Sequence, residues 1–300
     1  MMKAAVVFSI IAAACHHYVF AATELSEELG SGEIDGVAWN GLEENEVLED
    51  SQTRLSGGRN ATITKFPFMA SILVNNSLTG GGAILNRRWL VTGAYAASFA
   101  DEASDILVRV GSASSFRGGF TSRAKRIVKH PQASGYRHDF ALIQLETSLP
   151  PFSRHIRPIK IGDRTPRNGA RVLFTAFGND HPHHHPHQES NHDHHHHHPH
   201  QESNHDHHHE PGFGVLKETH FKFLESKKCK NHYFTILSFT KFSFCTEASN
   251  TTAPESKDFG SPLIYGKKAI GVFSGQWHDK PAVFVDLTKE KSFILKTIKK

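Results

Sequence analysis

The stretch GAILNRRWLVT, residues 82–92, combines branched apolar side chains with little helical periodicity, and turn residues bound it. Eight other short runs rich in Val, Ile and Phe have the same character. The remaining runs are Phe68–Val74, Ile106–Val110, Ala124–His130, Phe140–Leu145, Val172–Phe177, Phe234–Phe239, Ala269–Ser274 and Ala282–Leu287. Many short strands at this spacing are typical of an all-β sandwich or barrel.

Only the C-terminal end has a helical pattern. Thr288 is a candidate N-cap there, and Phe293, Ile294 and Ile298 share one face of the predicted helix. With 300 residues and 38% apolar content, the chain can bury a sizeable core in one large domain or two small ones.

The N-terminus resembles an export signal over residues 1–21. Lys3 supplies the positive end, Ala4–Ala14 form a short apolar run, and Val19-Phe20-Ala21 offers small residues for cleavage. The apolar run is too short to span a bilayer, and no other stretch is longer. We therefore predict a secreted, extracellular protein without a transmembrane segment.

The next segment, residues 22–54, is an acidic leader. It contains ten Asp or Glu residues, and its first basic residue is Arg54, whereas the chain from Leu55 onward has 32 Lys and Arg against 20 Asp and Glu. Such a composition predicts a flexible segment. A leader whose charge is opposite in sign to that of the following chain can keep the precursor soluble or fold back over that chain. We favour the first role.

Cysteine and glycosylation patterns fit an oxidising compartment. Cys15 lies inside the signal, which leaves Cys229 and Cys245, and one disulfide is the simplest pairing. Glycosylation sequons begin at Asn60, Asn75 and Asn250.

A low-complexity, histidine-rich insert occupies residues 179–211. The undecapeptide PHQESNHDHHH occurs at 186–196 and again at 199–209, and 16 of the 24 histidines lie between residues 181 and 209. We predict a disordered loop that binds Zn or Cu weakly at interchangeable sites. Expansion of a repeat in a tolerant loop, with no metal function, and pH sensing near pH 6 are the alternatives. The candidate ligands are His194, His195, His196, His197, His198, His207, His208 and His209.

Several motifs from residue 54 to the C-terminus resemble the trypsin-like S1 serine proteases. They are RLSGG at 54–58, FPF at 66–68, GGAIL at 81–85, WLVT at 89–92, HDFAL at 138–142, GSPL at 260–263, GVFS at 271–274 and PAVF at 281–284. The resemblance implies two six-stranded Greek-key β-barrels and a C-terminal helix. It makes residues 22–54 a propeptide and residues 55–300 the S1 domain, interrupted by the insert. It also implies cleavage after Arg54, with the freed Leu55 amine pairing with Asp258.

At the catalytic positions the sequence departs from the family. Tyr95 stands at the histidine position, Phe259 at the nucleophile position and Lys257 at the oxyanion-hole glycine, while Asp139 is retained. Since a phenol is a poor proton shuttle at neutral pH and a benzyl group has no nucleophilic atom, we predict that the triad is not functional. We expect Asp139 to accept hydrogen bonds from Ser274 and Tyr95 instead.

Two further family features are altered. The specificity-pocket positions are Ala253, Ser274 and Gln276, so a preference for Arg or Lys is not expected. Two family disulfides are missing as pairs, at Gly80 with Ala96 and at Val172 with Tyr265, whereas Cys229 and Cys245 fall on an expected pair.

The sequence thus predicts a secreted pseudoprotease that needs no cofactor. It would bind extracellular proteins, such as active proteases or their substrates, as a cofactor, decoy or regulator in a proteolytic or immune cascade. An active endopeptidase with non-standard catalytic residues and a metal-binding, His-rich protein on a protease-like scaffold are the alternatives. The basic body permits glycosaminoglycan or anionic-surface binding, but no motif specifies nucleic acid.

Overall fold

A computed structural model describes residues 58–179, 213–233, 241–249, 252–276 and 280–299 of this chain. The predicted signal, the leader, nearly all of the His-rich insert and the predicted strand Phe234–Phe239 lie outside the described residues.

The first barrel is closed from six antiparallel strands, which are joined by turns and by longer connections. A two-residue strand, β1 (Arg59–Asn60), precedes it. The barrel strands are β2 (Met69–Val74), β3 (Ser77–Ile84), β4 (Trp89–Thr92), β5 (Ile106–Val110), β6 (Phe120–Lys129) and β7 (Ala141–Leu145). They close in the order β2-β3-β4-β7-β6-β5, around a core that includes Ile72, Leu90, Val108 and Ile143.

The second barrel uses the C-terminal half of the chain. Its strands are β8 (Arg171–Asn179), β9 (Phe213–Leu224), β10 (Ser243–Thr246), β11 (Pro262–Tyr265), β12 (Lys268–Gly275) and β13 (Val283–Asp286). They are hydrogen-bonded in the order β9-β10-β13-β12-β11-β8, and pairing of β8 with β9 closes the ring, while β1 adds to the outer side of β9. The prediction of two six-stranded barrels is confirmed.

Phenylalanine fills the second barrel. Phe174, Phe244, Phe273 and Phe284 are almost fully buried, and the rings of neighbouring pairs lie 5.6–6.0 Å apart. These are separations at which aromatic pairs attract in edge-to-face or offset geometry. A third apolar cluster, which includes Met69, Trp89, Phe140, Phe177 and Val285, joins residues of both barrels.

Two α-helices complete the described fold: α1 (Ser226–His232) and α2 (Leu287–Ile298). The predicted C-terminal helix is present, but its N-cap is Asp286 rather than Thr288, because the Asp286 carboxylate accepts a hydrogen bond from the Thr288 amide at 3.0 Å. Neither this helix nor any other among the described residues is long and apolar enough to cross a membrane.

Within the described residues, each predicted strand overlaps an observed one, but one prediction spans two strands and three barrel strands were not predicted. Residues 82–92 are not one strand, because the turn at residues 85–88 divides them between β3 and β4. Strands β9, β10 and β11 were not predicted. In β9 the apolar pattern is interrupted by Glu218. This side chain is buried because it forms ion pairs with Arg59 and Lys65.

Candidate functional site

A cleft of about 470 Å³ lies between the barrels. Its residues come from the segment after β4, the segment before β7, the turn before β11 and the end of β12. The lining is Ala94, Tyr95, Ser98, Ala133, Ser134, Gly135, Tyr136, Asp139, Phe259, Ser274, Gly275 and Gln276. The structure thus brings together the predicted triad positions Tyr95, Asp139 and Phe259.

Phe259 is held in a rigid turn. A 3-10 helix, Ser256–Asp258, precedes it, and the Glu255 and Asp258 side chains cap that helix reciprocally. The Phe259 carbonyl accepts a hydrogen bond from the Gly81 amide of β3 at 2.9 Å, so the turn is fixed to the first barrel. The ring of Phe259 therefore has a defined position at the cleft.

Gly260 permits this close approach of the two barrels. Its φ is +79°, which disfavours residues with a side chain, and an added Cβ would lie 2.2 Å from the Gly93 nitrogen and 2.7 Å from the Gly81 carbonyl oxygen. No side chain fits between these backbones.

Asp139 is buried, and each of its carboxylate oxygens accepts a hydrogen bond. Ser274 donates a hydrogen bond to Oδ2 at 2.5 Å and the Tyr95 amide donates to Oδ1 at 3.0 Å. The predicted bond from Ser274 is confirmed, and that from Tyr95 comes from its backbone. Burial raises the pKa of Asp139, while the hydrogen bonds from Ser274, Tyr95 and Ala94 partly oppose the rise.

The rings of Tyr95 and Phe259 line one side of the cleft, and Phe99 packs beside Tyr95 at its edge. The Tyr95 ring packs edge-on against Phe259, with centroids 4.6 Å apart, and against Phe99, at 5.1 Å. Phe259 in turn stacks on Phe273 of the barrel core at 5.5 Å. Tyr95 and Phe99 are about half exposed, at 49% and 51%. Phe99 is not among the predicted site residues, although a large apolar side chain four residues after Tyr95 was a signal for it.

The other predicted site residues are distributed around this turn. Asp258 is fully buried, and its Oδ2 accepts a hydrogen bond from the Glu255 amide at 2.9 Å. Lys257 is partly buried beside it. Gln276 lines the cleft with Ser274, whereas Ala253 is partly buried and does not belong to the cleft lining among the described residues. Arg54 and Leu55 lie outside the described residues.

The neighbours that could have substituted for a triad member are directed elsewhere. Ser261 is fully buried behind the turn. His138, which precedes Asp139, has a left-handed backbone with φ of 52° and places Nδ1 against the Glu290 carboxylate of α2. The described cleft lining contains no imidazole and no thiol. Its chemistry is that of hydroxyl groups, aromatic faces and one buried carboxylate.

The remaining predicted sites fall on the periphery. Cys229 and Cys245 form the expected disulfide. Asn60 and Asn75 are exposed, as glycosylation requires. Asn250 and the predicted histidine ligands His194–His198 and His207–His209 lie outside the described residues.

Two antiparallel barrels with a cleft at their junction define the trypsin-like fold, and comparisons with known proteins agree. The family model described as Trypsin matches residues 55–208. The chain belongs to this family of trypsin-like S1 serine proteases.

Insect proteins are among its relatives in sequence. "Serine protease SP24D" of Anopheles gambiae is 31% identical over 157 residues, a match that spans 48% of this chain and 57% of that protein. "Trypsin 5G1" of Aedes aegypti is 24% identical over 242 residues, spanning 79% of this chain and 77% of that protein.

Solved structures show the same fold. A scabies mite inactivated protease paralogue, S-D1, superposes with a TM-score of 0.66 at 21% identity, over 81% of this chain and 97% of that one. Neuropsin, a serine protease expressed in the limbic system of mouse brain, superposes with a TM-score of 0.62 at 20% identity, over 80% of this chain and 98% of that one.

Proposed function

We propose that this chain is a secreted, non-catalytic member of the family that acts by binding extracellular proteins. The observation that carries the proposal is Phe259. A benzyl ring occupies the turn from which a hydroxyl nucleophile would act, and it packs between Tyr95 at the cleft and Phe273 of the core. Carbon at that position cannot attack a carbonyl group.

The environment of Asp139 supports the same proposal. In acyl transfer of the triad type, this carboxylate orients an imidazole that carries the proton. Here its oxygens accept hydrogen bonds from Ser274 and from the Tyr95 amide. The carboxylate has a structural role in the cleft, since it satisfies donors from both barrels.

The cleft is better suited to binding than to reaction. Tyr95 and Phe99 present half-exposed rings beside a cavity large enough for a side chain of a partner. Aromatic anchors of this kind provide much of the binding energy at protein interfaces. Partners of the kind we propose are active proteases of the same family or their protein substrates. One structural neighbour is named an inactivated protease paralogue, which gives a precedent for the fold without activity.

We further propose the processing that the sequence implies. The signal is removed after residue 21, and the propeptide 22–54 is removed by cleavage after Arg54. The new Leu55 amine then pairs with Asp258, whose burial next to Phe259 supports such a role. This switch would order the turn of the pseudo-active site without creating activity.

Reaction with an active-site label tests the loss of catalysis. We expect protein cut after Arg54 to show no labelling by a fluorophosphonate and no hydrolysis of a mixed peptide library above the buffer rate, because loss of the base or nucleophile costs about 10⁶ in turnover. An active trypsin is the positive control and the heat-unfolded chain is the negative control. Stoichiometric labelling of the folded chain at any cleft residue would contradict the proposal and favour an endopeptidase with non-standard catalytic residues.

A further inference from the structure

A buried cluster of two histidines and one glutamate lies behind the cleft, outside the site described above. His130 follows β6, His138 precedes Asp139, and Glu290 lies in the first turn of α2. One potential ligand atom from each residue lies within 4.8 Å of the other two. His138 and Glu290 are 152 residues apart in sequence, so folding alone brings them together.

The Glu290 carboxylate faces both imidazole rings. Its Oε1 contacts His138 Nδ1, and its Oε2 is 3.7 Å from His130 Nε2. The side chains of Glu290 and His138 are only 3% and 2% exposed, and that of His130 is 12% exposed. Phe140 and Phe293 pack against the His130 ring, and Phe242 packs against the His138 ring. The walls of the cluster are therefore apolar.

The two nitrogens of His138 have different surroundings. Nδ1 faces the Glu290 carboxylate, so it is the nitrogen that could share an ion with Glu290 and His130. Nε2 lies on the other side of the ring and has no hydrogen-bond partner among the described residues. The backbone of His138 is also left-handed, which costs free energy for a residue with a side chain and turns this ring toward α2.

We propose that His130, His138 and Glu290 bind one zinc ion. Two imidazole nitrogens and one carboxylate oxygen are a ligand set that zinc accepts, with a water molecule as the fourth ligand.

Binding requires a small rearrangement. Ligand atoms at tetrahedral zinc lie roughly 3.3 Å apart, given metal–ligand distances near 2.0–2.1 Å. The two imidazole rings are now stacked, with centroids 4.1 Å apart and planes at 12°. Since a metal ion lies in the plane of each ligating ring, the stack must open. The His130 ring, which is the more exposed, is the one that tilts, and solvent reaches the ion from its side.

The proposed ion would tie three segments together. It would link the end of β6 and the segment before β7 to α2, one residue from Asp139. This role is independent of the His-rich insert and of the proposed loss of catalysis.

Thermal unfolding with and without zinc tests the site, because an ion that binds only the folded state raises Tm. The full chain, a variant lacking residues 181–209, and His130→Gln, Glu290→Gln and His232→Gln variants would be compared. His232→Gln is the matched control, since His232 is exposed on α1 and distant in sequence from the cluster. Circular dichroism without metal confirms that each variant is folded.

We expect zinc at roughly 100 times its Kd to raise Tm by about 5 °C or more in the full chain, in the variant lacking the insert and in His232→Gln. His130→Gln and Glu290→Gln should lose most of this shift. Titration of the variant lacking the insert should give one bound zinc per chain. A shift that disappears with residues 181–209, or that persists undiminished in His130→Gln and Glu290→Gln, would overturn the proposal.

Discussion

At the scale of single residues, aromatic side chains form one side of the cleft. Phe259 is anchored on Phe273 and supports Tyr95, which in turn contacts Phe99. The three rings nearest the solvent form a continuous face that rests on the barrel core. Phe259, which we propose stands at the nucleophile position, thus also supports this aromatic surface.

This face makes a testable prediction about binding. Replacing Tyr95 and Phe99 together by Ala should weaken capture of the chain's extracellular protein partners by about tenfold or more, because buried aromatic anchors contribute about 2 kcal/mol or more at protein interfaces. Capture from native extracellular fluid, quantified by mass spectrometry, is the measurement. Tyr265→Ala is the control, since Tyr265 is also exposed, at 44%, but lines a different cavity, together with Phe66 and Lys268.

If the Tyr95/Phe99 double variant and Tyr265→Ala captured partners equally well, the cleft would not be the binding surface. Capture that depends on zinc and on residues 181–209 would instead favour the metal-binding alternative.

At the scale of elements, the fold depends on how closely two turns approach each other. The turn that carries Phe259 lies against β3 and the residues after β4, with hydrogen bonds from Gly81 to Phe259 and from Gly260 to Phe273. The missing disulfide pairs agree with this packing. An added Cβ at Gly80 would lie 2.7 Å from that of Ala96, so these positions are neighbours, as the resemblance implied.

Gly260→Ala should destabilise the protein by about 2–5 kcal/mol. A left-handed φ costs roughly 1–2 kcal/mol for a residue with a side chain, and overpacking adds about 1–3 kcal/mol. Gly266→Ala is the control, because Gly266 also has a positive φ, at +56°, but an added Cβ there meets no atom within 4 Å. Gly266→Ala should therefore lower the free energy of unfolding only by the cost of the left-handed φ, roughly 1–2 kcal/mol. Urea denaturation measures both; equal losses would show that packing against the first barrel contributes nothing.

The sequence predicted the strands that have an apolar pattern. It did not predict β9, in which a charged side chain is buried with ion-pair partners. The run before Thr92 and the strand at Ala269–Ser274 are apolar and were recognised. Strand β9 was missed since Glu218 is buried with cationic partners. For the site, the family resemblance predicted that Tyr95, Asp139 and Phe259 lie together, and the structure places all three in the cleft. The cluster around Glu290 could not be foreseen, because its members are far apart in sequence.

At the scale of the whole molecule, the resemblance implies that at least two disulfides of the family are absent from this chain. Each lost bridge removes about 2–5 kcal/mol of stabilisation. The second barrel has the retained disulfide and a core of interlocking phenylalanine rings, which contribute beyond their buried area. We infer that aromatic packing provides part of the stabilisation that the missing disulfides would have given.

The two barrels are also joined through their polar groups. Ser274 of β12 donates to Asp139 of the segment before β7, and the third apolar cluster includes residues of both barrels. Residues 180–212 connect the paired strands β8 and β9 of the second barrel. The strands remain paired up to the edge of this connection, with a register shift between Gly178, opposite Val215, and Asn179, opposite Phe213.

Deleting residues 181–209 should therefore leave the fold intact. The β8–β9 ladder keeps all its paired residues, and shortening the connection from 33 residues to four lowers the entropic cost of closing it by about 2 kcal/mol at most. Thermal unfolding in the presence of a chelator should show an unchanged or slightly higher Tm. A variant with a Gly-Ser run of equal length in place of 181–209 is the control, and its Tm should equal that of the unmodified chain. If the Gly-Ser variant and the deletion both lose stability, residues of the insert contribute to folding, and the boundaries proposed for it are wrong.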